Sequence, residues 1–335
     1  MSHSFSSHKT KRFAMPRIVR LTVLAVGIAG LLPGCVDDDG NISFPIAPNG
    51  IRVAQAGLSP EGVQYDELNR RFVVSSRTRG RIGTVKDDST YTILADDPRL
   101  ISTIGLNLDQ SRSRLLAAVS DNGANTTRST PATLRRLAAL AIFNSNNGSL
   151  TRYVDLGALR PNQNHFANDI AVDLQGNAYV TDSSSPIIYK VTPQGVASVF
   201  LEDPQLSGGT GFGLNGIVFH PGGFLLTAKS NDGTLYKVPL NNPGSFTRVT
   251  TNQNLTGADG LLLQNAQTLL VVSGGQTTVF RLNSPDNWST STTTGTFATG
   301  PVSPTTITRR GLNDAYVLYP YQATSPFFEI VKARF

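Results

Sequence analysis

One unit of sequence recurs along most of this chain, and a repeat of its length leaves few folds open. In the clearest copy Asn168-Asp169 opens an apolar stretch that runs to Asp173, Gln175-Gly176-Asn177 turns the chain, and further apolar stretches follow at 178–182, 187–191 and 196–200. Short apolar runs punctuated by Gly, Asn, Asp and Pro, with no sustained 3.6-residue period, are strands joined by tight turns. The unit returns from Asn215-Gly216 (215–219, 224–228, 235–238, 246–249) and from Asp259-Gly260 (259–263, 269–272, 278–282). An earlier copy opens at Glu61-Gly62, and a more divergent one at Ile104-Gly105 carries a polar insertion at 121–133. The starts stand about 45 residues apart, or about 60 across the insertion, which is the period of propeller blades.

The last copy supplies only three strands (305–307, 315–319, 328–331), while 51–54 near the other end is a strand without a unit. Pairing the two closes a ring and removes the exposed edges an open array would leave. The expectation is an all-β, six-bladed β-propeller over 50–335, closed by an N-terminal strand that joins the C-terminal blade. A stacked sandwich is the alternative, but sandwiches do not impose this period.

The segment before the repeats is different. Lys9, Lys11, Arg12, Arg17 and Arg20 precede an apolar run from Leu21 to Leu32, the pattern of an export signal too short to be a membrane span of ordinary length. It ends in Leu32-Pro33-Gly34-Cys35, which resembles the lipobox of bacterial lipoproteins, with Pro33 a departure from it. The resemblance implies a signal over 1–35, lipidation of Cys35 and anchoring to a bacterial membrane on its periplasmic or outer side. A plain secretory signal or a short anchor, with Cys35 incidental, is the other reading. Residues 36–49, acidic and Pro/Gly-containing, then form a tether.

Cys35 is the only cysteine, so there is no disulfide framework. Five of the 29 basic residues precede Cys35 and all 23 acids follow it, leaving 24 bases against 23 acids in the remainder. The basic balance therefore belongs to the signal, and a nearly neutral body gives nucleic acid no electrostatic footprint. A monomer acting on a small molecule is expected.

The first strand of each blade lines the channel of a propeller, so the polar residue that opens it stands at the channel mouth. Four openers carry oxygen donors: Glu61, Asn168, Asn215 and Asp259. Each alone is also a common turn or bend former. Together, in one phase of four repeats, two carboxylates and two amides make an oxygen set suited to a hard cation, Ca²⁺ before Mg²⁺, and poorer for Zn²⁺. His165, close to Asn168, is either a base beside that site or a residue capping a turn.

These residues resemble the senescence marker protein (regucalcin) and gluconolactonase family, with more distant similarity to strictosidine synthase and the paraoxonases. The resemblance covers most of the chain from Ser59 to Leu282. It implies Glu61, Asn215 and Asp259 as metal ligands and Asn168 as a substrate-binding residue or fourth ligand. It also implies hydrolysis of a lactone or ester, with the cation polarising the carbonyl, Asp259 helping to deprotonate water and Asn168 orienting the carbonyl. Sugar-lactone members carry an arginine two residues before the Asn-Asp pair; Phe166 stands here, so a less polar substrate is expected. The 121–133 insertion is either a lid over the channel or a solvated loop. The rival to an enzyme is a surface-tethered binding module whose channel ion is structural.

Overall fold

The computed structural model describes residues 1–3, 35–36, 42–43, 47–321 and 324–335. The chain divides into two units, Met1–Ile46 and Ala47–Phe335. In the first, a two-residue antiparallel ladder pairs Cys35 with Ser43 and Val36 with Ile42. The apolar run of the expected signal lies outside the described residues.

The second unit is six antiparallel sheets arranged as a β-propeller. From the innermost strand outward, blade one is Val63–Asp66, Arg71–Val74, Ile82–Val85 and Tyr91–Ala95. Blade two is Ser102–Asp109, Arg114–Ser120, Ala138–Asn144 and Leu150–Asp155, and blade three is Ala167–Val172, Ala178–Asp182, Ile187–Val191 and Ala197–Glu202. Blade four is Leu214–His220, Phe224–Lys229, Leu235–Pro239 and Thr247–Arg248. Blade five is Ala258–Asn265, Thr268–Ser273, Thr278–Asn283 and Thr290–Ala298, with Thr250–Thr251 added in parallel at its outer edge. Blade six is Ile307–Arg310, Asp314–Tyr319 and Phe328–Ala333, completed by Gly50–Val53.

That last pairing is the expected ring closure: Phe328 stands opposite Val53 and Ile330 opposite Ile51. Each innermost strand touches those of both neighbouring blades, and blade six touches blade one, so the sandwich alternative is excluded. The strand Thr290–Ala298 was not expected, because its Ser/Thr-rich sequence has no apolar run; as the outer strand of its blade it exposes alternate residues and needs none.

Second strands carry the core. Ala178–Asp182 and Phe224–Lys229 are buried along their whole length, which is why they read as continuous apolar runs and not as alternation. The hydrophobic clusters lie between blades, one for each neighbouring pair, so that the core is itself a ring. Ile104, Leu116, Ile170, Val180 and Tyr189, for example, seal blade two to blade three. At roughly 1.5–3 kcal/mol for each large side chain fully buried, these interfaces hold the ring shut.

Candidate active site at the channel mouth

The opening residues of blades two to five occupy a repeated backbone defect. The pairing of first to second strand skips from Thr103 to Leu106, Ala167 to Ile170, Leu214 to Ile217 and Ala258 to Leu261. Two residues bulge out at the same place each time: Ile104-Gly105, Asn168-Asp169, Asn215-Gly216 and Asp259-Gly260. Reading these dipeptides as turn formers ahead of the strands is thus corrected. They lie inside the strands, where a bulge bends the backbone and re-aims side chains.

Packing dictates the second residue of the motif. A β-carbon on Gly216 would lie well inside van der Waals contact distance of the Asp259 carbonyl oxygen in the next blade, and one on Gly105 would strike the Asn168 carbonyl. Glycine stands there because adjacent innermost strands approach too closely for a side chain. Blade three departs from the pattern with Asp169.

A chain of hydrogen bonds fixes the first residues. Asn168 Nδ2 donates to Ser183 Oγ at 2.9 Å, and the Ser183 hydroxyl donates to the carbonyl of Leu214, immediately before Asn215. Asn215 Nδ2 in turn donates to Ser230 Oγ at 3.0 Å, and Ser230 donates to the carbonyl of Ala258, immediately before Asp259. The Ser120 hydroxyl does the same for Ala167, before Asn168, at 2.8 Å. In blade one, Ser75 Oγ accepts from the Gly62 N–H at 2.7 Å, and Thr305 of blade six donates to the Glu61 carbonyl at 3.0 Å. Each asparagine gives one Nδ2 hydrogen to a serine, which leaves its amide oxygen and its second N–H for other partners.

The carboxylates repel one another. The Asp259 carboxyl is held well above the usual range, first by loss of water and then by the negative charges of Glu61 and Asp169; the Asn215 amide and Arg77 oppose this. Burial likewise raises Glu61, against the attraction of Arg77. Glu61 Oε2 is buried without a hydrogen-bond partner, and the Arg77 Nε that faces it at 3.7 Å lacks one too.

Asp169, not expected as a site residue, is a third acid of this group. Burial raises it to about 7 against the N–H groups of Ile170 and Ile217, and the Glu61 charge adds to the rise. Its oxygens accept from Ile170 N at 2.9 Å and, across to blade four, from Ile217 N at 3.2 Å. It also lines a cavity of about 330 Å³ that enters the channel from the opposite mouth, past Gln64, Asn107 and Thr308. The signal for it was visible: aspartate where four sister motifs have glycine.

The structure therefore brings Glu61 and Asp259 into electrostatic contact and sets Asn215 beside Asp259. Among the described residues no group of three or more His, Cys, Asp or Glu could hold a metal ion by itself, so a cation here would depend on two carboxylates and on amide oxygen. That donor set suits a hard cation.

His165 sits elsewhere, in a closed network. Its Nδ1 is 2.7 Å from Asp182 Oδ2 and its Nε2 is 2.8 Å from the Arg160 carbonyl oxygen, with the Tyr189 hydroxyl 3.1 Å from both Nδ1 and Asp182 Oδ2. Both ring nitrogens face acceptors. Desolvation opposes the charge, but the Asp182 hydrogen bond, its charge and the Arg160 carbonyl together raise the imidazole above its ordinary value. With both ring nitrogens engaged by buried acceptors, the geometry favours the structural reading of His165, a residue that fixes its loop, over a base beside the site. Asp182 also accepts from Phe166 N at 2.9 Å, which makes the network the anchor of the loop leading to Asn168.

Phe166 is buried, its ring 5.3 Å from that of Phe212, in the wall of a cavity on the side of the insertion. The insertion is a folded element. Asn125, buried, donates from Nδ2 to the Ile101 carbonyl at 2.6 Å, and Asp121 accepts from Ser129 and Thr133.

No protein-family model and no curated protein matches the chain in sequence. Solved structures do match in fold. The major Malassezia sympodialis allergen Mala s 1 aligns over 86% of this chain and 96% of its own at TM-score 0.69 and 19% identity. XC5397, a gluconolactonase from Xanthomonas campestris, aligns over 84% and 88% at TM-score 0.59 and 16% identity. A luciferin-regenerating enzyme aligns over 85% and 95% at TM-score 0.59 and 12% identity. These likenesses establish the six-bladed fold that the chain shares with gluconolactonases, and the fold alone.

Proposed function

We propose that the protein is a metal-dependent hydrolase of a lactone or ester, with Glu61, Asn215 and Asp259 holding a divalent cation, Ca²⁺ first, at the channel mouth. The observation that carries this is the frustration of the acids: a buried Glu61 oxygen with no donor beside an Asp259 whose charge is opposed by two other carboxylates. A cation relieves both at once. When bound, it supplies Lewis-acid polarisation of a carbonyl.

The chain's own residues do the rest. Asn168, locked by Ser183, keeps one amide N–H to orient the substrate carbonyl. Asp259, ionised once its charge is compensated, accepts the proton of the attacking water. The gluconolactonase among the fold relatives supports this choice of reaction without deciding it.

A second reading has its own observation. Arg77 already faces Glu61, so the cluster can instead be structural, in a propeller that only binds. Assay of the purified protein against a panel of lactones and aryl esters, with and without added divalent cation, separates the two. Turnover that requires the cation, and that disappears in Asp259→Ala while the β-rich circular dichroism is unchanged, is expected; no cation-dependent turnover across the panel leaves the binding module.

We also propose export and anchoring through lipid on Cys35. Labelled palmitate should enter the protein expressed in a bacterial host and should fail to enter Cys35→Ser; equal labelling of the two would refute it.

A further inference from the structure

A cavity of about 390 Å³ opens beside the loop that delivers Asn168, within the size range of small-ligand sites. Its walls come from the 121–137 segment and from the 207–213 loop, and its lining includes Arg135, Phe166, Ser184 and Phe212. Three independent features of it point to a ligand.

The first is apolar surface. Phe166 is 6% exposed, whereas Phe212 is 49% exposed although their rings touch, so a large aromatic face is left open at the cavity. Phe212 stands in a loop with glycine at 208, 209, 211 and 213, whose backbone can adjust to an occupant.

The second is Arg135, an exposed residue with left-handed backbone at φ 56°. That conformation is unfavourable for a side chain of this kind, at about 1–3 kcal/mol, and it persists because two backbone bonds impose it. Arg135 N donates to the Asp121 carbonyl at 2.8 Å, and His165 N donates to the Arg135 carbonyl at 2.9 Å.

The third is the treatment of the neighbouring acids. Asp121, fully buried, spends one oxygen on Gly123 N at 2.9 Å and the other on Ser129 and Thr133 at 2.8 and 2.7 Å. Asp182 is engaged by His165 and accepts from the N–H groups of Phe166, Ser184 and Ser185. Asp121 lines the cavity, but both acids spend their oxygens on partners within the protein, which leaves Arg135 as the charged lining residue available to a ligand.

We propose that this cavity is a binding subsite for a flat apolar group bearing one carboxylate, with Phe166 and Phe212 against the apolar body and Arg135 on the anion. Phe166 lies two residues before Asn168, and Ser184 lies next to the Ser183 that holds Asn168. A lactone or ester reacting at the channel mouth would thus extend its apolar part here. As a determinant of substrate choice the subsite rests on the hydrolase reading above; as a binding site it does not.

The test is calorimetric titration of the full chain with 2-naphthoate and with its neutral counterpart 2-naphthylmethanol. Naphthoate should bind, and the alcohol about tenfold more weakly. Phe212→Ala should weaken both ligands. Arg135→Asn, whose new side chain tolerates the left-handed backbone, should remove the preference for the anion with an unchanged circular dichroism spectrum. Absence of naphthoate binding to the wild type, or binding that neither substitution alters, overturns the subsite. Binding with these dependences but no cation-dependent turnover across the lactone and aryl-ester panel refutes the hydrolase reading and leaves the subsite standing; hydrolysis without naphthoate binding does the reverse.

Discussion

The Ser183 hydroxyl of blade three donates to the carbonyl of Leu214, the residue that precedes Asn215 in blade four. The same serine receives the Asn168 amide, so one hydroxyl ties the site residue of its own blade to the backbone that positions the next. Ser230 repeats the arrangement between Asn215 and Ala258. The channel mouth is thereby assembled as a relay from blade to blade.

Breaking the relay should harm function more than stability. Ser230→Ala removes one donor and one acceptor and is expected to cost about 1–2 kcal/mol in urea unfolding. Because it frees the backbone before Asp259, lactone turnover should fall by about tenfold or more. Unchanged turnover at reduced stability would show that the serine serves only the fold.

The close approach of innermost strands makes a sharper stability prediction. Gly216→Ala forces a methyl onto the Asp259 carbonyl and should destabilise by roughly 1–3 kcal/mol or prevent folding. Gly244→Ala is the control, since a β-carbon there meets nothing within 4 Å and its effect should stay within about 0.5 kcal/mol. Equal midpoints for the two variants would contradict the packing argument.

Ring closure can be tested at Ile51, buried at 2% exposure opposite Ile330. Ile51→Ala should cost about 2–5 kcal/mol, and it should promote association by loosening the strand that covers the edge of blade six. Light scattering with thermal unfolding reads both effects. A variant as stable and monodisperse as the wild type would mean that Gly50–Val53 is dispensable.

How much of this was legible in the sequence follows from what repeats. The period, the ring and its closing strand could be read because every blade needs apolar second and third strands, and these leave runs such as 178–182 and 269–272. The opener residues could be read because they share a phase. Their bulged geometry could not, since Asn-Gly and Asp-Gly are equally at home in turns, and only the skipped pairing distinguishes the cases. The serine relay was present in the sequence as a serine fourteen or fifteen residues after each of Glu61, Asn168 and Asn215. Its meaning needed the neighbouring blade. The two readings of His165, base or turn-capping residue, could not be separated for a similar reason: Asp182 and the Arg160 carbonyl, which occupy its nitrogens, are placed by the sheet and the loop and not by sequence proximity.

That network predicts a pH dependence. The imidazole of His165 titrates higher in the folded chain than when free, held up by Asp182 and the Arg160 carbonyl against desolvation. Its contribution to stability is therefore complete below the ordinary histidine value of about 6.5 and is lost as pH rises through the raised folded value. The stability difference between wild type and His165→Gln, followed from about pH 6 to about pH 9, should shrink as pH increases. A constant difference would show that the ring acts by packing alone.

The central claim is that acids and amides from separate blades converge on one cation. Calorimetric titration of the metal-free protein with Ca²⁺ tests it most directly, in the wild type and in Glu61→Gln and Asp259→Asn. The account predicts one ion per chain for the wild type and affinity lower by about tenfold or more in each variant. No binding by the wild type, or undiminished binding in both variants, would contradict it.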